Sequence, residues 1–177
     1  MLSYDLMSRS TRHSREDNLY EPVRRALQQR FERYGTCELH VTARGLSNRV
    51  KEFLDDASLY YARVEKTLPD LMGNFTPTPN TKLPYFIRGG LIVAEVKPGP
   101  PKLRHILQAK MYLEVFDSWN AFLICDTDTP PELDRFLKKR SSLLSTHAGY
   151  SALHIGVFDL SSNNFIKWHP RDPFSKE

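Results

Sequence analysis

The chain has 177 residues, 25 Lys+Arg against 21 Asp+Glu for a net charge of +4, and 40% hydrophobic residues. That length predicts one ordinary domain able to bury a core without covalent staples. Two distant cysteines, Cys37 and Cys125, exclude a disulfide framework and a four-thiolate metal cage. With no apolar run near the ~20 residues of a bilayer span and no secretory apolar core at the N-terminus, membrane and secreted classes are set aside, and a reducing, intracellular, cytoplasmic setting is expected.

Residues 8–15 (SRSTRHSR) are small, polar and basic, and residues 1–14 are expected to form a flexible basic arm, with a single domain over 15–177. Leu19, Val23, Leu27 and Phe31 repeat at i+4 and predict a helix from about Arg15 to Tyr34, stopped at Gly35. Pro22 fits that helix only in its first turn. Residues 36–42 alternate like a strand, 46–57 suggest a short amphipathic helix, and 59–64 and 69–75 read as extended. TPTPNTKLP (76–84) is a loop. GLIVAEVK (90–97) has the pattern of a buried strand, and the prolines after it seed a helix from about Lys102 to Phe116. A second buried strand at 121–125, a helix begun by TDTPPELD and running to about Leu144, and strands near 152–159 and 163–168 complete the chain. The fold class expected is α/β, a mixed central sheet flanked by helices.

Chemistry concentrates at Glu95-Val96-Lys97, the one acid-x-Lys triplet of the chain. Alternation along a strand points Glu95 and Lys97 the same way and returns Val96 to the core. An acid and an amine at the mouth of a buried strand are costly unless they pair or serve one site. Upstream, Pro69-Asp70 precedes an extended stretch, and antiparallel pairing of 69–75 with 90–97 would bring Asp70 beside Glu95. Two carboxylates meeting at one place repel, and a hard cation such as Mg²⁺ is the usual remedy, with Lys97 beside its water. Gln108 and Tyr112 share a face of the next helix and offer hydrogen bonds and a flat ring to a sugar-phosphate backbone. On the first helix, Glu16 falls within roughly 20° of the Val23 and Leu27 stripe, whereas Glu21 lies about 140° from Glu16. Glu16 is the acid chosen, with Glu21 as the alternative. Lys102 and Arg104 open the Gln108 helix and are the expected phosphate contacts. No HExxH, G-x-S-x-G or P-loop occurs, which argues against zinc-hydrolase, serine-hydrolase and ATPase chemistry.

Taken in order, Glu16 within ExxLYxPVxxxL, Pro69-Asp70, Glu95-Val96-Lys97 and Gln108-Ala-Lys-Met-Tyr112 resemble the PD-(D/E)xK nuclease superfamily, in its RecB-like Q-x-x-x-Y branch, over about residues 15–126. The resemblance implies a restriction-endonuclease-like sheet and a metal-dependent nuclease that hydrolyses phosphodiesters, on DNA in preference to RNA. It implies that Asp70, Glu95 and the Val96 carbonyl bind Mg²⁺ or Mn²⁺, that Glu16 completes the acidic cluster, that Lys97 acts on the attacking water, and that Gln108 and Tyr112 line the site and touch nucleic acid. The segment between Asp70 and Glu95 is longer than a tight hairpin, and two cysteines are too few for the iron–sulfur cluster of many relatives, so no cluster is expected. A homodimer is among the assemblies this reading allows. The competing reading is a non-catalytic nucleic-acid-binding or assembly subunit with a nuclease-like fold.

Overall fold

Among the residues described by the computed structural model, 3–145 and 152–175 with side chains from residue 15 onward, six strands form one mixed sheet whose spatial order repeats the order of the chain. These are β1 (Gly35–Val41), β2 (Leu71–Pro77), β3 (Gly90–Lys97), β4 (Asn120–Cys125), β5 (Ala152–Asp159) and β6 (Asn164–His169). β1, β2 and β3 run antiparallel in turn, β3, β4 and β5 are parallel, and β6 returns antiparallel. Each parallel step is made by a helical crossover, as parallel pairing demands. Helix α4 (Leu103–Val115) links β3 to β4, and α5 (Pro131–Lys139) with a 3₁₀ turn at Ser141–Leu144 precedes β5.

Helix α1 (Ser3–Glu32) covers one face of the sheet. Its Leu19, Val23, Leu27 and Phe31 are buried against Phe75, Ile92 and Phe122. The other face receives Ile106, Ala109 and Leu113 of α4, together with Leu137. Cys37 belongs to the first core and Cys125 to the second. Both are free, and burial pushes each thiol up to about 12.

Four expectations meet a different structure. Helix α1 takes in residues 3–14, assigned by pattern to an arm; residues 1 and 2 and the side chains through residue 14 lie outside the description. Pro22 is therefore interior. Its missing N–H leaves the Asn18 carbonyl without its helical donor, on a face where Asn18 is exposed to water, while Leu19 and Val23 carry the packing across the break. The single helix expected at 46–57 is instead a four-residue turn, α2 (Asn48–Lys51), capped by Ser47. The stretch 59–64, read as extended, is helix α3 (Asp56–Val64). There the Asp55 carboxylate accepts from the Ser58 N–H, and this cap outweighs the β-preference of Tyr60, Tyr61 and Val64, of which Tyr60 and Val64 point to solvent.

The C-terminal segment packs on the body. Phe174 is buried beside Phe31 and Phe122, the Tyr34 hydroxyl donates to the Phe174 carbonyl at 3.0 Å, and Arg30 pairs with Asp172 at 3.0 Å. No helix among the described residues is long and apolar enough to cross a membrane.

Candidate active site

Register places the site. Leu71 pairs with Ala94, so the next residue back on β2 and the next forward on β3, Asp70 and Glu95, are neighbours just past the end of the ladder. Where the ladder would have continued, the Val96 N–H donates to the Asp70 carboxylate at 2.8 Å. The N–H and C=O of a strand residue face the same neighbour, so the Val96 carbonyl is turned toward Asp70 as well.

The Asp70 backbone is held at three successive carbonyls. The Tyr112 hydroxyl donates to Leu68 O at 3.0 Å, the Thr42 hydroxyl to Pro69 O at 2.6 Å, and the Thr42 and Ala43 N–H groups to Asp70 O at 2.8 and 3.2 Å. Gln108 in turn donates its Nε2–H to the Tyr112 oxygen at 3.1 Å. Q-x-x-x-Y therefore acts here as a brace. Tyr112 is 1% exposed, so its ring offers no open stacking face.

Lys97 stands at the centre. Its Nζ lies 2.5 Å from Glu16, 2.7 Å from Glu95 and 3.3 Å from Asp70. Three acids converge on one ammonium, and both helix and strand periodicities that nominated them are realised. Glu21, the alternative on α1, is bound instead to Arg24 and Arg25 at 2.7 and 2.8 Å at the surface. Glu16 is fixed by its own neighbours: Arg15 pairs with Asp126 at the end of β4 (3.0 Å) and Asp17 with Arg44 (3.1 Å). Asp126 also accepts from the N–H of Gly99 at 2.6 Å, where a φ of 81° turns the chain from β3 toward α4 in a conformation that suits glycine.

Electrostatics follow from burial. Glu95 is 1% exposed and Asp70 7%. Removal from water and the charge of Asp70 push Glu95 up to about 8. Burial likewise raises Asp70, against the opposing pull of Lys97 and the Val96 N–H. Burial alone would lower Lys97, but the charges of Asp70 and Glu95 and the hydrogen bond to Glu16 outweigh it, so the ammonium stays protonated. The second Glu95 oxygen, Oε2, is buried with no hydrogen-bond partner among the described residues. Tyr20, one turn beyond Glu16, is buried, and burial with the charges of Asp70 and Glu16 raises its hydroxyl well above the ordinary phenol range. Pattern alone had assigned Tyr20 no role; its i+4 spacing from Glu16 is the signal that could have found it.

Asp70, Glu95, Lys97, Gln108 and Tyr112 line a cleft of about 670 Å³. Lys102 and Arg104, the cations expected at phosphate, are exposed on the first turn of α4 and do not line it. The cations that do are Lys97, Arg44, Lys51, Arg63 and Lys66. Four of these five come from the segment between β1 and β2.

The donor set suits a hard cation, being carboxylate oxygens with one oxygen unsatisfied. No group of three or more His, Cys, Asp or Glu side chains is arranged to hold a metal among the described residues. The acids point at the ammonium, so a cation would have to share or take the place of Lys97 Nζ. The molecule is thus an α/β protein with an acid-lysine cluster at the floor of a cleft. No protein-family model matches the chain, nor does any curated protein or solved structure.

Proposed function

We propose that this chain is a metal-dependent nuclease with a restriction-endonuclease-like core, a member of the PD-(D/E)xK superfamily that hydrolyses phosphodiester bonds, of DNA in preference to RNA. The observation that carries the reading is Glu95 Oε2, a buried carboxylate oxygen left unpaired in a cleft where Asp70, Glu16 and Lys97 meet. A buried unpaired carboxylate oxygen costs stability and is relieved by a proton, which Glu95 holds up to about pH 8, or by a cation that takes that proton's place.

Asp70, Glu95, Glu16 and the Val96 carbonyl would hold Mg²⁺ or Mn²⁺. When bound, such an ion supplies Lewis acidity and lowers the pKa of a water. Lys97, held protonated, would orient the attacking water and donate from Nζ to a phosphate oxygen as negative charge develops there. The Val96 N–H fixes the Asp70 carboxylate, so its orientation is set before substrate arrives. Gln108 and Tyr112 act through the Leu68 carbonyl and are positioning residues.

The test is a cleavage panel of labelled single-stranded, duplex, flapped and four-way-junction DNA and of RNA, each with Mg²⁺, Mn²⁺ or EDTA. Wild type is expected to cut with metal only, and Lys97→Ala and Asp70→Asn to lose about a hundredfold or more while remaining folded by circular dichroism. Metal-independent binding with no cutting by wild type would transfer the assignment to a non-catalytic nucleic-acid-binding subunit.

A further inference from the structure

The β1–β2 ladder closes with Val41 opposite Leu71, so a tight turn could have joined the two strands. Instead the chain runs out through residues 42–70 and returns to its starting point, carrying α2 and α3. The neck of this excursion is tied by Thr42, which is fully buried and hydrogen-bonded to both Pro69 and Asp70. Arg44 ties it to α1 through Asp17. An insertion held this firmly beside the acids forms part of the site.

Building on the nuclease reading, we infer that this excursion is a cap, basic on the face that lines the cleft, that admits a single nucleic-acid strand to the acids and excludes an intact duplex. Three observations support it. First, the charges are segregated: the acids lining the cleft are Asp70 and Glu95 on its floor, whereas Arg44, Lys51, Arg63 and Lys66 stand on the cap. Among the described residues Arg63 and Lys66 form no ion pair, while their cap neighbours Arg44 and Arg49 are paired with Asp17 and Glu38. Two cations free of acids at the rim, above buried acids, suit a polyanion whose backbone is gripped there while one phosphate is lowered to the floor.

Second, Lys66 occupies the position after the α3 C-cap with φ 52°. Glycine or asparagine is usual there, and a lysine accepts backbone strain to stand at the cleft. Third, a volume of about 670 Å³ lies within the range of cavities that enclose one small organic ligand. A nucleotide or two of one strand would fill that volume between the cap and α4, whereas paired strands would extend beyond it. Leu46 and Leu59 on the cap wall provide apolar surface for bases without reading their edges, so binding is expected to tolerate sequence.

The experiment uses the full chain in EDTA, reading fluorescence anisotropy with a labelled single-stranded oligodeoxynucleotide, its blunt duplex and, as competitor, polyglutamate. Wild type is expected to bind the single strand about tenfold or more tighter than the duplex and to ignore polyglutamate. The double variant Arg63→Gln/Lys66→Gly should bind the single strand about tenfold more weakly, with the slope of log affinity against log salt reduced by about 1.4 for two lost phosphate contacts. Because glycine suits φ 52°, Lys66→Gly should not lower the thermal midpoint, which separates lost binding from lost folding. Equal binding of duplex and single strand, unchanged binding by the double variant, or competition by polyglutamate would overturn the cap inference. Adding Mn²⁺ to the same samples separates the two readings. Single-strand binding without cleavage keeps the cap and removes the nuclease, whereas cleavage of duplex as fast as single strand keeps the nuclease and removes the cap.

Discussion

Three acids around one ammonium in a place with little water cannot all hold their charge, and buried Glu95 answers by keeping its proton. Its folded pKa of about 8 stands above its ordinary value of 4.5, so the stability contributed by its bound proton is complete below pH 4.5 and is lost as pH rises through about 8. Glu95→Gln keeps the shape, removes the buried charge and leaves Lys97 with Glu16 and Asp70. The variant is expected to be inactive yet more stable than wild type by about 1 kcal/mol or more near pH 8, with the gain shrinking toward about pH 5. Urea denaturation of both proteins in EDTA at the two pH values checks this. Single residues were legible where one periodicity governed them. Strand alternation joined Glu95 to Lys97, and helical phase preferred Glu16 to Glu21. Tyr20 was not legible, because a buried tyrosine on a core stripe has the same pattern whether or not its hydroxyl meets an acid.

Elements were readable from apolar spacing and misread where a cap or a distant contact decided. Helix α3 forms because Asp55 caps it and its stripe rests on the body, although Tyr60, Tyr61 and Val64 favour a strand locally. The excursion that carries the rim cations was invisible in principle, since nothing local to residues 42–70 announces that Val41 and Leu71 will pair. Lys102 and Arg104 were nominated for closeness in sequence to Gln108, and the first turn of α4 carries them away from the cleft. Pro22 tests how much α1 depends on packing over local preference. Pro22→Ala restores the donor to the Asn18 carbonyl inside a helix already held by Leu19, Val23 and Leu27. It should stabilise the protein by about 1–3 kcal/mol in urea denaturation. No gain would mean that the flanking contacts need the break.

At the scale of the molecule the sheet divides two cores, and the one under α1 contains a polar intruder. His154 is 2% exposed, between the rings of Phe86 and Phe122 at 5.1 and 6.1 Å, and neither ring nitrogen has a partner among the described residues. Burial, with Arg171 nearby, lowers it to about 4, so it is neutral in the fold and protonates in the unfolded chain first. Stability from this group is therefore complete above pH 6.5 and is lost as pH falls from 6.5 to about 4, by about 3 kcal/mol in total. His154→Leu should flatten that limb of the stability-against-pH curve in denaturation experiments, whereas an unchanged limb would assign it to other groups.

The match between spatial and sequential strand order bears on how the chain finds this structure. Every ladder joins consecutive strands, so no pairing requires the ends of the chain to meet before the middle has formed. Loop-closure entropy is then lost in modest instalments, each recovered by the ladder it permits, and the search is faster than for a sheet of interleaved strands. The largest single instalment among the antiparallel pairs falls between Val41 and Leu71, at the insertion that carries the cap. The same segment that would select the substrate therefore sets the slowest hairpin of the fold.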